Sequence, residues 1–332
     1  MSLASHPCCI TVNKNWEASI LISIVVPVYN SVATLKRALD SVQAQTFSDW
    51  ELIVVDDASS DGTVKLAKQL YSSDNRFRFI LKEVNTGPAE SRNLGFDQAR
   101  GEWIALLDAD DSWLPNRLAE LLSASSDSDL IADNLMTYDV SIRRETGPYY
   151  KDFSTPVLTL ADYLIGWLGN TELDGGYLKP LLRTSFLRTH NLRYDCALRH
   201  GEDYLLYCKA LCWGARFKLI NSCNYIYTTP IGWYSKEKSV HTRTIPDPIA
   251  LAKAMQHFRT EICDRLCARD KDLYDRKIAE LYATENWWAF EGAWRAKNYF
   301  LCLYLLRYSA VRKGFWVVLL SKLNLYTPTR PR

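Results

Sequence analysis

Ile20-Leu-Ile-Ser-Ile-Val-Val-Pro-Val-Tyr29 decides the fold, because it is a nearly unbroken run of β-branched and other apolar residues. Such runs are typical of strands that are buried on both faces of a parallel sheet. A helix is predicted to follow directly, since Asn30 or Ser31 can cap its first turn and apolar residues then recur at helical spacing to about Gln45. The pattern predicts a buried strand followed by a crossover helix.

The same order of strand and helix continues to about residue 132. Four further strands are predicted at Glu51–Asp56, Arg76–Lys82, Trp103–Leu107 and Asp129–Ala132. Helices are predicted between them at Val64–Tyr71, Pro88–Ala99 and Leu114–Ala124. This alternation predicts an α/β fold with a doubly wound, mostly parallel sheet and helices on both faces. Ligands of such sheets bind outside the carboxyl ends of the strands.

The pattern changes at about residue 140 and again at residue 248. We therefore divide the chain into an N-terminal extension (1–19), a strand-and-helix half (20–140), an aromatic-rich half (141–247) and a helical C-terminal region (248–332). The end of the C-terminal region mixes aromatic and aliphatic residues with basic ones. It is predicted either to pack on the body of the protein or to rest on a membrane surface.

The amino-acid composition limits the classes of protein to which this chain can belong. The 332 residues, 48% hydrophobic and 23% charged, suit a globular protein with a large core. A formal net charge of +2 supplies no overall basic field, so nucleic acid is not expected as a partner. Nine cysteines without a disulfide framework favour the cytoplasm. No cleaved signal and no transmembrane helix are predicted.

Acidic residues follow two of the predicted strands. Asp108, Asp110 and Asp111 end the Trp103–Leu107 run, and Asp56-Asp57 ends an earlier one. Adjacent carboxylates repel one another, so either water or a hard divalent cation is expected to stabilise them. The triplet Asp108-Ala109-Asp110 would hold Mg²⁺ or Mn²⁺ against a diphosphate. The alternative is a solvated acidic turn.

Four motifs in the first half, taken together and in order, resemble family 2 glycosyltransferases of the GT-A fold. They are Ile24–Asn30, Val54–Thr63, Asn85–Gly95 and Leu106–Asp111. The resemblance implies that residues 20–140 form a nucleotide-sugar-binding half and that residues 141–247 bind the acceptor.

The resemblance also implies a nucleotide-sugar donor, most often a uridine diphosphate sugar. Pro27 and Tyr29 would pack at the base, and Asp57 would accept a hydrogen bond from the uracil ring. Arg92 would reach either the diphosphate or an internal carboxylate. The family usually has glycine where this chain has Ala58, which makes the loop stiffer.

In the second half, Leu198–Leu206 resembles the Glu-Asp segment that begins a helix facing the acceptor in this family. Asp203 would be the general base of an inverting transfer, with Glu202 as the alternative. Both acids also suit a helix N-terminus for electrostatic reasons alone. The segment Tyr225–Arg243 resembles a loop that closes over the donor, with three candidate diphosphate contacts at Ser239, His241 and Arg243.

The predicted function is a metal-dependent, inverting transfer of a sugar to a growing saccharide. A looser resemblance to bacterial exopolysaccharide enzymes of the succinoglycan type implies a lipid-linked acceptor at the inner face of the cytoplasmic membrane. A sugar-phosphate nucleotidyltransferase is the alternative enzyme, but it should have a Gly-rich basic loop where this chain has Tyr29-Asn30-Ser31. A receiver-like, Mg²⁺-binding signalling module should carry its acidic pair after the first strand, not the second.

Overall fold

A computed structural model describes residues 21–150, 152–153, 156–168, 171–172, 175–229 and 247–308, together with 311–312 and 315. The predicted N-terminal extension, 1–19, lies outside these residues. So do Ser239, His241 and Arg243 of the predicted closing loop. The boundaries between the other three divisions stay predictions.

Strands and helices alternate through the first half, as predicted. The strands are β1 (Ile22–Val28), β2 (Trp50–Asp56), β3 (Phe77–Leu81), β4 (Trp103–Leu106), β5 (Ser112–Trp113), β6 (Leu130–Asp139), β7 (Arg144–Pro148), β8 (Val157–Leu158), β9 (Trp167–Leu168), β10 (Thr171–Glu172), β11 (Leu181–Arg183) and β12 (Phe217–Thr229). The helices are α1 (Leu35–Gln43), α2 (Thr63–Tyr71), α3 (Pro88–Gln98), α4 (Arg117–Ser123), α5 (Leu160–Ile165), α6 (Thr184–Thr189), α7 (Glu202–Cys212), α8 (Pro248–Glu261), α9 (Ala268–Arg295) and α10 (Tyr299–Leu305), and a 3₁₀ helix spans Gly175–Tyr177. The five predicted strands correspond to β1, β2, β3, β4 and β6.

The main sheet has ten strands. Its order is β3-β2-β1-β4-β11-β6-β12-β5, with β7 paired to β6 and β8 paired to β12. The first four strands are parallel, and Ile22 lies between Trp50 and Trp103. The predicted doubly wound, mostly parallel α/β sheet is confirmed. β11, which runs antiparallel to β4 and β6, was not predicted because three residues are too few to show a period.

The loops after β1 and β2 are tied together by polar side chains. The side chain of Asn30 accepts a hydrogen bond from the backbone N–H of Ser60, and Ser31 N–H donates to Oγ1 of Thr63. The prediction that Asn30 or Ser31 caps the first helix is therefore wrong, because α1 begins at Leu35 and both residues serve contacts between loops. These contacts fix the two strand ends beside each other.

A buried ion pair lies beneath the carboxyl-end edge of the sheet. The fully buried Arg117 donates two bonds from Nε and Nη2 to Asp133, at 3.1 and 2.9 Å. Nη2 also donates to the carbonyl oxygen of Lys179 at 2.5 Å. Its guanidinium lies between the rings of Trp113 and Tyr225. Arg117 thus holds the backbone that leads into β11.

The C-terminal helices pack against the second half of the chain. Helix α8 contacts α7, and α9 contacts both α8 and α5. In the part of the chain that the structure describes, no helix has the length and apolar character needed to cross a bilayer. Helices α8 and α9 thus pack on the body of the protein, and the two alternatives for the end of the C-terminal region stay predictions.

Helix α3 lies close on β1 because Gly95 has no side chain. A Cβ at Gly95 would lie 2.3 Å from Cγ1 of Val25, well inside normal contact. We expect Gly95→Val to lower the free energy of unfolding by about 1–3 kcal/mol, the usual cost of overpacking a core. The control Glu90→Val places the same side chain at an exposed position in the first turn of α3, and should cost no more than about 1 kcal/mol through helix propensity and the helix dipole. Urea unfolding measures both, and equal values would contradict the prediction.

Candidate active site

Two clefts adjoin each other at the carboxyl-end edge of the sheet. The smaller has a volume of about 350 Å³ and is bounded by the ends of β1, β2 and β4 and by the start of α3. The larger has a volume of about 470 Å³ and is bounded by α5, α7, α9 and the 3₁₀ helix. Four residues line both clefts: Pro88, Arg92, Asp108 and Arg199. Groups bound in the two clefts would meet at these residues.

The smaller cleft is lined by the donor-side residues that were predicted in the first half of the chain. These residues are Pro27, Tyr29, Asp57, Arg92, Asp108 and Asp110. Tyr29 is 42% exposed, so its ring lies at the cleft surface and not in the core. Ala58 adopts a left-handed φ of 63°, which explains why glycine is the usual residue there. The sequence motifs therefore converge on one surface although they span more than eighty residues.

Asp57 is held in place by its neighbours. Its Oδ1 accepts bonds from Nζ of Lys82 at 2.6 Å and from the backbone N–H of Thr86 at 3.0 Å. Its Oδ2 accepts from the N–H of Gly87 at 2.7 Å. A carboxylate has about four acceptor sites, so about one remains for a ligand. Lys82 was not predicted, although a lysine at the end of the strand beside Asp57 was a visible signal.

The three acids after β4 have three different environments. Asp111 is buried and accepts bonds at 2.7 Å from Oη of Tyr225 and from the N–H of Thr228. Burial, together with the charges of Asp110 and Asp108, raises the pKa of Asp111 well above its usual range. Asp110 is partly exposed and lines the smaller cleft. Asp111 is therefore a structural residue, and Asp108 and Asp110 face the clefts.

A buried ion network joins the two clefts. Arg92 donates to Oδ1 of Asp108 at 2.8 Å and to Oε1 of Glu202 at 2.9 Å. Lys179 lies 3.0 Å from Oδ2 of Asp108 and 2.7 Å from Oδ2 of Asp203. Of the two alternatives for Arg92, the structure shows contact with internal carboxylates. Two cations thus bridge three carboxylates from distant parts of the chain.

The network keeps Asp108 and Lys179 charged. Burial alone would raise the pKa of Asp108, but Lys179 and Arg92 beside it hold that pKa well below its usual range. Burial would lower the pKa of Lys179, yet Asp108 and Asp203 together raise it well above its usual range. Asp203 also accepts a bond from Oη of Tyr194 at 2.6 Å. Asp203 is therefore held in one orientation at the wall of the larger cleft.

Tyrosines form much of the larger cleft. They are Tyr163, Tyr177, Tyr204 and Tyr227, and the rings of Tyr163 and Tyr204 stack with centroids 4.7 Å apart. Helix α9 adds Lys277, Glu280 and Leu281. Aromatic faces with a few charged groups suit a saccharide, whose rings have apolar faces and polar edges. The sequence analysis identified this half as aromatic-rich but assigned none of these four tyrosines to a cleft.

Lys179 was also missed. It is the one charged residue in Leu178-Lys-Pro-Leu-Leu182, which otherwise reads as a buried segment. A lysine in such a run needs a buried carboxylate partner, so the pattern signals an ion pair without saying with which residue.

Comparison with known proteins identifies the family. A family model described as glycosyl transferase family 2 matches residues 23–163. The glycosyltransferase GlyG of Streptococcus pneumoniae serotype 4 is 34% identical over 222 residues, which cover 62% of this chain and 70% of GlyG. The chain belongs to glycosyltransferase family 2. The succinoglycan biosynthesis protein ExoU of Rhizobium meliloti (strain 1021) is 38% identical over 211 residues, or 61% of the glycosyltransferase and 60% of ExoU, so the chain spans less than two thirds of that relative.

A solved structure has a fold similar to that of this chain. TarS 1–349 of S. aureus in complex with UDP-GlcNAc has a TM-score of 0.61 to this glycosyltransferase, with 22% sequence identity over 80% of this chain and 72% of that one. The predicted GT-A fold is confirmed.

The chemistry of the smaller cleft fits a divalent cation that is shared with a phosphate. Asp108 and Asp110 offer two carboxylates beside a space of suitable size. Within the described ranges, no three or more His, Cys, Asp and Glu side chains are grouped as a metal cage. Mg²⁺ and Mn²⁺ commonly bind through one or two carboxylates with the remaining ligands from water and substrate phosphates, so the residues present fit such an ion.

The ion network is expected to contribute to the stability of the glycosyltransferase. Lys179→Met would leave Asp108 and Asp203 buried without their shared cation, and should lower the free energy of unfolding by about 3–5 kcal/mol. The exposed pair Arg193–Asp97 provides the control, because Arg193→Met should cost less than about 1 kcal/mol. Urea unfolding measures the free energy of unfolding of both variants. An effect of Lys179→Met no larger than that of the control would contradict a buried bridging role.

Proposed function

We propose that this chain transfers a sugar from a nucleotide-sugar donor to a growing saccharide, with inversion at the anomeric carbon. The observation that carries the proposal is the meeting of the two clefts at Arg92 and Asp108. The residues predicted for the donor line one cleft, and the predicted base, Asp203, lines the other. A donor and an acceptor bound in them would have their reacting atoms near this boundary.

The donor we propose is a UDP-sugar. The exposed face of Tyr29 can cover a flat base, and Asp57 has acceptor capacity left for an imide N–H. The likeness in fold to TarS, a protein solved with UDP-GlcNAc, is consistent with this donor class. The rigid setting of Asp57 by Lys82, Thr86 and Gly87 would favour one orientation of the base.

We further propose that Asp110, with Asp108, holds Mn²⁺ or Mg²⁺ at the diphosphate. When bound, such an ion supplies Lewis acidity that neutralises charge on the departing nucleoside diphosphate. Asp108 is already fixed by Arg92 and Lys179, so its orientation does not depend on the donor. Arg92 engages Oδ1 of Asp108 and Lys179 engages Oδ2, so we assign Asp110 as the main ligand and Asp108 as the secondary one.

Asp203 is proposed to take the proton from the acceptor hydroxyl as that oxygen attacks the anomeric carbon. The bonds from Tyr194 and Lys179 position its carboxylate before the acceptor arrives. Attack from the larger cleft would occur opposite the diphosphate in the smaller one, so an α-linked donor would give a β-linked product. Glu202 is the less favoured base, since its Oε1 is engaged by Arg92.

The acceptor is proposed to be a lipid-linked saccharide of bacterial exopolysaccharide synthesis, used at the inner face of the cytoplasmic membrane. Similarity to ExoU, which is named for succinoglycan biosynthesis, supports the saccharide class. The tyrosine-lined cleft of about 470 Å³ has room for a saccharide segment and not only a single small hydroxyl compound.

A donor panel tests the proposed function. The purified chain is incubated with Mn²⁺ and with uridine, guanosine and thymidine diphosphate sugars, and both saturable binding and release of nucleoside diphosphate are measured. Binding and hydrolysis restricted to uridine sugars would support the proposal. Absence of both with every donor would overturn it.

Asp203→Asn separates catalysis from donor binding. We expect the rate of transfer or donor hydrolysis to fall by about 10²- to 10⁴-fold, because general-base assistance is lost. The dissociation constant of the donor should be unchanged, since Asp203 lies in the other cleft. Asp127→Asn, in an exposed turn before β6, is the matched control and should leave both quantities unchanged. If the Asp203→Asn variant kept its activity, another residue would have to be the general base.

A further inference from the structure

The exposed apolar side chains of the C-terminal helices gather at one end, which we name the tip (residues 294–308). Its exposed large apolar residues are Trp294, Tyr299, Phe300, Leu301, Leu303 and Tyr304. Phe300 is 85% exposed and Leu303 is 70% exposed. Single exposed apolar residues are common, but a contiguous group of this size usually marks a binding surface.

Helix α10 is apolar on every side. Its sequence is Tyr-Phe-Leu-Cys-Leu-Tyr-Leu, without a polar or charged residue other than the tyrosine hydroxyls. Cys302 and Leu305 on its inner side pack with Phe290 and Ala293 of α9 in a small separate core. The other side is exposed. A helix that is apolar all round is normally buried or in contact with lipid, so the exposed side needs an apolar environment.

The charged side chains in the sequence from residue 292 onward are all basic. Residues 292–332 contain no Asp or Glu and eight basic residues: Arg295, Lys297, Arg307, Arg312, Lys313, Lys322, Arg330 and Arg332. The whole chain has a formal charge of only +2, so the preceding residues are net negative. Within the tip, the guanidinium of Arg307 lies 3.8 Å from the ring centroid of Tyr304, which places positive charge directly beside an exposed aromatic face.

We propose that the tip docks on an anionic lipid bilayer, with its aromatic and leucine side chains in the interfacial region and its basic side chains at the headgroups. Aromatic rings prefer the boundary between hydrocarbon and water, and basic residues are attracted to anionic headgroups. A second copy of the chain fits less well, because two such tips would bring like charges together. Protein interfaces are also generally poor in lysine.

The rest of α9 explains why only its end would touch the bilayer. Residues 268–291 carry six Asp and Glu against four Lys and Arg, so this part of the helix would not be attracted to an anionic surface. Leu281, which lines the larger cleft, and Trp294 are thirteen residues apart on one helix. At about 1.5 Å per residue this is about 20 Å. Docking therefore places the acceptor cleft within about 20 Å of the bilayer, a consequence that bears on the proposed lipid-linked acceptor and rests on the proposed function.

Vesicle co-sedimentation with the full chain tests the docking. The wild-type protein should bind vesicles of phosphatidylglycerol and phosphatidylcholine, should bind pure phosphatidylcholine far more weakly, and should lose affinity as salt is raised. The double variant Phe300→Ser/Leu303→Ser should lose most of the binding. Its matched control is Val140→Ser/Ile142→Ser, which removes two exposed apolar side chains from the β6–β7 turn and should bind as the wild type does.

A second pair of variants tests the charge component. Arg295→Gln/Lys297→Gln should weaken binding to the anionic vesicles about thirtyfold, the expected contribution of two basic side chains at such a surface. Circular dichroism of each variant confirms that the fold is retained. Equal binding to both kinds of vesicle, or equal binding by the tip variant and its control, would overturn the proposal. So would a concentration-dependent dimer that Phe300→Ser/Leu303→Ser abolishes, because a second copy would then cover the tip.

The test is independent of catalysis. If the wild-type chain docks on vesicles but binds no nucleotide sugar, the proposed function fails and the docking surface stands. If it binds the donor but no vesicle, the docking proposal fails and the proposed function stands.

Discussion

The bridging of three carboxylates by Arg92 and Lys179 is the interaction on which the candidate site depends. Arg92 belongs to α3, Asp108 follows β4, Lys179 precedes β11, and Glu202 and Asp203 begin α7. A buried charge without a partner costs several kcal/mol, so these groups favour states in which all of them come together. The network therefore couples residues 20–140 to residues 141–247, and Lys179 bridges Asp108 and Asp203.

The ion pair of Arg117 and Asp133 helps to position the network. Arg117 holds the carbonyl oxygen of Lys179, and Asp133 also accepts a bond from the N–H of Asn224 in β12. One residue further along β12, Tyr225 donates to Asp111 and accepts from the backbone N–H of Asp108. Asp111, the one acid of the three that was not predicted as a metal ligand, thus has a structural role. It ties the end of β4 to β12 and leaves Asp108 and Asp110 directed toward the clefts.

Features that depend on residues close together in the chain could be predicted from the sequence, and most contacts between distant residues could not. The run Ile20–Tyr29 and the helical periods after it are local patterns, and they gave the order of strands and helices. The acids at strand ends could be placed on one rim because parallel strands share an edge. By contrast, Lys179 lies close to Asp108 only through β11, whose three residues carry no periodic signal. The assignment of Asn30 to a helix cap failed because a contact across two loops replaced a local one.

Helix α9 connects the larger cleft to the tip. At Lys277, Glu280 and Leu281 it forms one wall of the larger cleft, and at Trp294 it enters the basic, aromatic tip. The family model ends at residue 163, before this helix begins, so the residues of α9 that line the larger cleft and those exposed at the tip both lie outside the matched region. A helix that is rigid between these two points fixes their separation. The sequence of α9 therefore shapes one wall of the larger cleft and sets the distance between that cleft and the tip.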